Sequence, residues 1–100
     1  MDIQKLITMG KMECDFVIDG VTVHMVTPTG EEVAGANDNI DLLTVCIKSI
    51  DDRKFESLKD REDLRGIVKA MQGAIVGRLT TRLTELITDQ ATLVDNLPKK

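Results

Sequence analysis

Few side chains in this sequence are of the types that do chemistry. His24 is the only histidine, and it could act as a general base or as a metal ligand. No second histidine or cysteine stands at ligand spacing from it, so the sequence favours an exposed strand residue that faces Asp15 across a hairpin. Cys14 and Cys46 both lie among apolar residues, which predicts two small core side chains rather than reactive thiols.

The motifs that bind cofactors or activate nucleophiles are missing from the sequence. There is no GxxxxGKS/T phosphate loop, no GxGxxG turn and no CxxC pair. The only serines, Ser49 and Ser57, do not stand in a nucleophile elbow. The adjacent carboxylates Asp51 and Asp52 lack the further oxygen ligands of a calcium loop and predict a polar turn. We therefore predict a protein that is not an enzyme, with no catalytic residue, no metal and no cofactor.

The composition predicts a single domain over residues 1–100. Of these residues 42% are hydrophobic and 30% charged, and the only aromatics are two phenylalanines, so we expect an aliphatic core. The net charge of −4 disfavours a nucleic-acid partner, which is normally bound through basic side chains. No apolar run is long enough to cross a membrane, and the N-terminus lacks the order of a secretion signal. Two cysteines fit a cytoplasmic protein better than a disulfide scaffold.

A β-hairpin is the clearest element, predicted over residues 11–28. Asp19-Gly20 separates two strand-like runs, and this dipeptide favours a type I′ turn. A two-residue loop pairs Ile18 with Val21, and it also sets every other pair of the hairpin. The further apolar pairs on the same face are Phe16 with Val23 and Cys14 with Met25.

The middle of the chain predicts a helix over residues 38–50. Asn37 and Asp38 offer N-cap oxygens, and apolar residues then recur at helical spacing. The β-branched residues near position 45 keep a strand open as the alternative. Residues 31–36 show no pattern that decides between helix and loop.

The C-terminal part carries the strongest helical periodicity, over residues 57–97. Ser57 and Asp60 are alternative N-caps, and an apolar stripe runs in phase from Leu64 to Leu97. Glycines weaken the middle of this segment, so a kink at 72–77 is the alternative to the continuous or gently bent helix that we expect. The predicted fold is α+β: an N-terminal β-hairpin packed on a small helical bundle with one long amphipathic C-terminal helix.

A continuous helix of this length would project beyond the domain and expose its apolar face, which would then bind a partner. The predicted partner-binding residues are Val76, Leu79, Leu83, Leu86, Leu93 and Leu97, flanked by Arg78 and Arg82. A broken helix would instead fold the same face into the core. Arg61, Arg65 and Lys69 form a basic line, which is typical of a solvated face and less often of a strip for an acidic partner.

The order of these segments resembles that of small tail-morphogenesis proteins of tailed bacteriophages, the tail-assembly-chaperone and baseplate-hub-assembly group. The resemblance rests on FVIDGVTVHMVTPTGEE, then LLTVCIKSIDD, then KFESLKDREDLRGIV and a helix ending TDQATLVDNL. It implies a protein of the host cytoplasm that binds a tail structural protein, such as the tape-measure protein, during assembly.

Two other functions stay open at this point, as does the oligomeric state. A small structural subunit retained in the virion, at the tail, baseplate or head–tail junction, would use the same helix face. A host-directed inhibitor or regulator would need a clustered acidic surface, for which only residues 31–60 offer enough carboxylates. The chain could also associate with itself as a homo-oligomer in any of these functions.

Overall fold

The computed structural model describes residues 3–96, apart from the side chain of Thr8, and has the predicted α+β architecture. The elements in chain order are α1 Ile3–Thr8, β1 Glu13–Ile18, β2 Val21–Val26, α2 Gly30–Gly35, α3 Asn39–Cys46, β3 Ile47–Ile50, β4 Arg53–Lys54, α4 Leu58–Ala70 and α5 Gly73–Asp95. The strands form one antiparallel sheet in the order β1-β2-β3-β4. The helices pack mainly through α3, which contacts both α4 and α5.

The β1–β2 hairpin has the predicted register. Ile18 pairs with Val21, and the apolar and polar pairs behind them follow as the two-residue loop requires. Asp19 and Gly20 both have positive φ angles, 48° and 78°, which is the backbone of a type I′ turn. Glycine reaches this region without strain, so the sequence of the loop sets the pairing of the whole hairpin.

The helix predicted over 38–50 is present only in its first part, and this is a correction. Asp38 caps α3, but the helix ends at Cys46 and the chain continues as β3 against β2. The turn that follows fixes this pairing, because the amide of Asp51 donates to Thr22 O at 2.8 Å and Thr22 N donates to Asp51 Oδ1 at 2.9 Å. Ile47–Ile50 is therefore a strand because it pairs with the backbone of β2 on the side away from β1. The helical spacing of its apolar residues did not reveal this pairing.

Residues 31–36, which the sequence left undecided, lie mostly in the short helix α2. The Thr29 side chain accepts from Glu32 N, and the Glu32 carboxylate accepts from Thr29 N. These two bonds form a capping box, whose T-x-x-E signature is readable in the sequence.

The helix predicted over 57–97 is interrupted, which corrects the expectation of a continuous helix. Ser57 is the N-cap of α4, and hydrogen bonds from the Ser57 and Glu56 amides lower the pKa of Asp60. Met71 and Gln72 are extended, with ψ angles of 150° and 144°, and α5 begins at Gly73. The break thus lies at the start of the segment where a kink was the alternative. It turns the apolar faces of both helices toward one core.

The core lies between the inner face of the sheet and helices α3, α4 and α5. Phe55 is its largest fully buried side chain, and no other aromatic is buried among the described residues. The buried cluster consists of Val23, Met25, Leu43, Cys46, Ile47, Phe55, Leu64, Val68, Leu79 and Leu83.

Candidate functional site

The residues with chemical potential are occupied by structural contacts. His24 lies opposite Asp15, as predicted, and its Nδ1 is 2.6 Å from Asp15 Oδ1, while its side chain is partly buried rather than exposed. Burial raises the pKa of the Cys46 thiol to about 12 and also raises that of Cys14. Both thiols are therefore protonated near neutral pH, and a protonated thiol is a poor nucleophile. Across residues 3–96 no three His, Cys, Asp or Glu side chains are grouped as metal ligands.

The basic line on α4 is largely used within the chain. Arg61 Nη1 donates to Thr44 O at 2.7 Å and to Ile47 O at 3.1 Å, where α3 ends and β3 begins. Lys48 Nζ donates to Val45 O at 2.9 Å, and burial together with the nearby Arg61 lowers the pKa of the Lys48 amine. Arg65 pairs with Asp41. Arg61 and Lys48 therefore stabilise the C-terminal end of α3, where unpaired carbonyls favour positive charge. Arg65 instead binds the first turn of α3 through Asp41, so two of the three residues of the line are used within the chain.

The carboxylates of residues 31–60 are largely used within the chain as well. Most of them accept hydrogen bonds from nearby backbone amides: Glu32, Asp38, Asp41, Asp51 and Asp60. Their charges are spread over caps and turns on several elements. These five carboxylates therefore have structural roles in the described part of the chain, and the acidic inhibitor stays a prediction.

The stripe predicted to bind a partner divides between the core and the surface. Leu79, Leu83 and Leu86 are at most 2% exposed, so their expected role as an accessible binding face is corrected to a core role. Val76 is half-buried against the same core. Leu93 is 44% exposed near the end of α5, whereas Leu97 lies outside the described residues.

The two arginines that flank the stripe lie beside β1. The guanidinium carbon of Arg78 is 5.8 Å from the centre of the Phe16 ring, and Arg82 Nη1 is 3.5 Å from Glu85 Oε2. Both residues therefore lie on the side of α5 that is next to β1, and not at the exposed end of the helix.

Most of the large apolar side chains that are exposed in the described part of the chain lie instead around the first helix and the end of α5. We call the exposed large apolar side chains of these two segments the terminal patch: Ile3, Leu6, Ile7, Met9, Leu93 and Val94. Gly10 brings the segments together, because a Cβ on this residue would lie 2.9 Å from Val94 Cγ2. Gly10 also has a φ angle of +81°, which other residues adopt only with strain.

Hydrogen bonds of Thr27 hold the chain beneath the terminal patch. Its hydroxyl accepts from Met12 N at 3.1 Å and from Gln90 Nε2 at 3.2 Å, which links the N-terminal segment and α5 to the end of β2. A concave site of about 460 Å³ opens next to it, and Ile7, Met9 and Pro28 are among its lining residues. The sequence held a signal for this surface that we did not use: Ile3, Leu6 and Ile7 stand at positions i, i+3 and i+4, the spacing of one helix face.

Comparison of the chain with protein-family models, with curated proteins and with solved structures gives no match. None of the helices in the described part of the chain is both long enough and apolar enough to span a bilayer.

Proposed function

We propose that this protein is a non-enzymatic assembly protein of a phage tail or baseplate, which binds another tail protein through the terminal patch. One observation supports partner binding: large apolar side chains are exposed on α1, at Met9 and at the end of α5, with exposed fractions that reach 67% at Ile7, and Gly10 lies close to Val94 between these segments. Exposed apolar side chains that lie close together usually mark a protein partner, because leaving them in water is unfavourable. The phage context rests on the resemblance of the sequence layout.

The properties of the chain suit transient binding of an aggregation-prone partner such as a tape-measure protein. Met9 lies in the patch, and methionine adapts its shape to different apolar surfaces. The net charge of −4 opposes self-association through the same patch. A subunit retained in the virion would use the same surface, so the composition of the finished particle separates these two functions.

Capture from the lysate of the producing cell, with two matched leucine variants, tests the proposal. Leu93→Asp places a charge in the terminal patch, whereas Leu58→Asp places the same charge on an isolated leucine that is 87% exposed at the start of α4. Both sites are exposed, so both variants should keep the helical circular dichroism of the wild type. We expect the wild type and Leu58→Asp to capture a phage tail structural protein, and Leu93→Asp to lose it.

Mass spectrometry of the purified particle completes the test. Absence of this chain from the particle, together with a captured tail protein, supports an assembly protein. A fixed copy number in the particle would make it a structural subunit instead. Equal capture by Leu93→Asp and Leu58→Asp would remove the terminal patch from the proposal, and capture of no tail protein at all would remove the phage function.

A further inference from the structure

One edge of the sheet is open over a full-length strand. Strand β1 is an edge strand of six residues, while the opposite edge, β4, has only two residues, Arg53 and Lys54. A short and charged edge such as β4 resists pairing with another chain. β1 is longer, and its charged residues, Glu13 and Asp15, lie on only one face of the strand.

The type I′ turn determines which backbone groups of β1 point outward. In this turn Ile18 and Val21 exchange backbone hydrogen bonds, so bonding toward β2 alternates back along the strand from Ile18. The outward groups are therefore the N–H and C=O of Glu13, Asp15 and Val17. No backbone hydrogen bond within residues 3–96 uses these groups. They are spaced to accept one further strand.

A groove lies beside this edge, between Phe16 and one side of α5. Its volume is about 430 Å³, and Gly77, Thr81 and Arg78 are among the residues that line it. The small side chains leave room above the helix, and a Cβ on Gly77 would meet open space. A fifth strand would lie about 4.8 Å beyond β1. Its side chains on the inner face would enter this groove.

We propose that the β1 edge and this groove bind an extended segment of another protein as a fifth strand, with an acidic side chain toward Arg78 and a basic side chain opposite Asp15. Arg78 is exposed and has no carboxylate within ion-pair distance in the described chain; its contact is the Phe16 ring. On the other face, Glu13 and Asp15 present carboxylates next to His24. A bound strand must therefore carry an acidic side chain on one face and a basic side chain on the other. Alternate residues of a strand point to opposite faces, so a single strand can satisfy both.

A second copy of this chain fits the edge poorly. Antiparallel pairing of β1 with itself can place Asp15 opposite Asp15, or Asp15 opposite Glu13, and like charges in direct opposition destabilise a sheet. Pairing Asp15 with Val17 avoids this but brings Glu13 against Asp19 of the loop. The edge therefore favours a different chain. This binding mode uses another surface than the terminal patch and does not depend on the phage function.

A short peptide with the required alternation tests the mode of binding. The probe is fluorescein-labelled TVKEKVT, which carries lysines on one face and a single glutamate on the other. Two isomers carry backbone N-methyl groups on alternate residues, so that each blocks one hydrogen-bonding edge of the peptide. Since a fifth strand uses only one edge, we expect one isomer to bind like the parent and the other to lose at least about tenfold in affinity. Equal affinities of the two isomers would contradict strand addition.

Protein variants test the assigned side chains. Arg78→Glu should weaken binding at least about tenfold, and the charge-swapped peptide TVKKKVT should restore it. Lys69→Glu makes the same change in net charge on an exposed position of α4 and should bind like the wild type. Val17→Pro removes one outward N–H and leaves the bonds to β2, so it should abolish binding.

The remaining outcomes overturn the proposal. They are no binding of the parent peptide at about 1 mM, an Arg78→Glu variant that binds like Lys69→Glu, and dimerisation of the wild type that Val17→Pro abolishes. Should Val17→Pro fail to fold, the pair of N-methylated isomers carries the same test on the wild-type protein.

Discussion

Replacing Arg61 by alanine tests whether this residue of the basic line stabilises the fold or is merely exposed to solvent. The Arg61 guanidinium is partly buried and donates to Thr44 O at 2.7 Å and Ile47 O at 3.1 Å; its distance to Val45 O, 3.4 Å, is too long for a strong bond. A hydrogen bond to a charged group contributes about 1.5–3 kcal/mol. Because the site is only partly buried, water can replace part of this, and we expect a loss of about 2–3 kcal/mol in the free energy of unfolding.

The matched control is Lys69→Ala on the same helix. Lys69 is exposed and makes no ion pair in the part of the chain that the structure describes. Its contribution comes from its position in the last turn of α4, where a positive charge is worth about 0.3–1 kcal/mol. Alanine also favours the helix slightly, so the net loss should stay below about 0.5 kcal/mol.

Urea unfolding followed by circular dichroism measures both variants, and thermal unfolding gives an independent value. For a domain of this size the expected loss in Arg61→Ala corresponds to a fall of about 10–20 °C in Tm. Arg61→Lys keeps the charge but only part of the hydrogen-bonding geometry, so it should lie between the wild type and alanine. If Arg61→Ala and Lys69→Ala differ by less than about 0.5 kcal/mol, the reasoning from these hydrogen bonds is refuted.

Three further predictions follow from the break, the buried thiol and the divided stripe. Gln72→Pro should leave the free energy of unfolding unchanged or raise it by about 0.4–1 kcal/mol, because Gln72 already has φ −60° and follows an extended residue. In a continuous helix the same substitution would cost about 3 kcal/mol or more. Urea unfolding distinguishes a broken helix from a continuous one. The pKa of Cys46 is raised to about 12 in the folded state, so above about pH 9 the unfolded chain loses a thiol proton that the folded chain keeps. The free energy of unfolding should therefore be constant with respect to this group below the unfolded thiol pKa, and fall above it by up to about 1.4 kcal/mol per pH unit. Unfolding of the wild type and of Cys46→Ala over this range measures that slope, and identical slopes would contradict it. Leu83→Ala should cost about 2–5 kcal/mol and Leu93→Ala much less, since only Leu83 is fully buried; equal losses in thermal unfolding would place both residues in the same environment.

The hairpin could be predicted in full because its determinants are local. Asp19-Gly20 selects the turn, and the turn fixes the register and the position of His24 opposite Asp15. The capping boxes at Thr29 and Ser57 are equally local, although only Ser57 entered the prediction. Each of these depends on residues close together in sequence, whose geometry follows from a few backbone angles.

The location of the apolar surface could not be predicted from the helical stripe. An amphipathic face is the same pattern whether it packs inside the chain or binds a partner, so Leu83 and Leu93 are indistinguishable in sequence. The break at Met71 and Gln72, which no proline or strong N-cap announces, lets α5 pack on the core, where Leu83 is buried, while Leu93 lies near the end of the helix and stays exposed. The open edge of β1 is likewise a property of the sheet order.

The α+β class, the hairpin and its register, the turn at Asp51-Asp52 and the aliphatic core all follow from local sequence signals, because turn chemistry, capping and side-chain periodicity act over a few residues. Long-range contacts instead make Ile47–Ile50 a strand, bring Arg61 to the carbonyls at the end of α3, and set which part of the apolar stripe remains exposed. These features depend on partners far away in sequence, and a buried group takes whichever partner the fold brings within hydrogen-bond or packing distance.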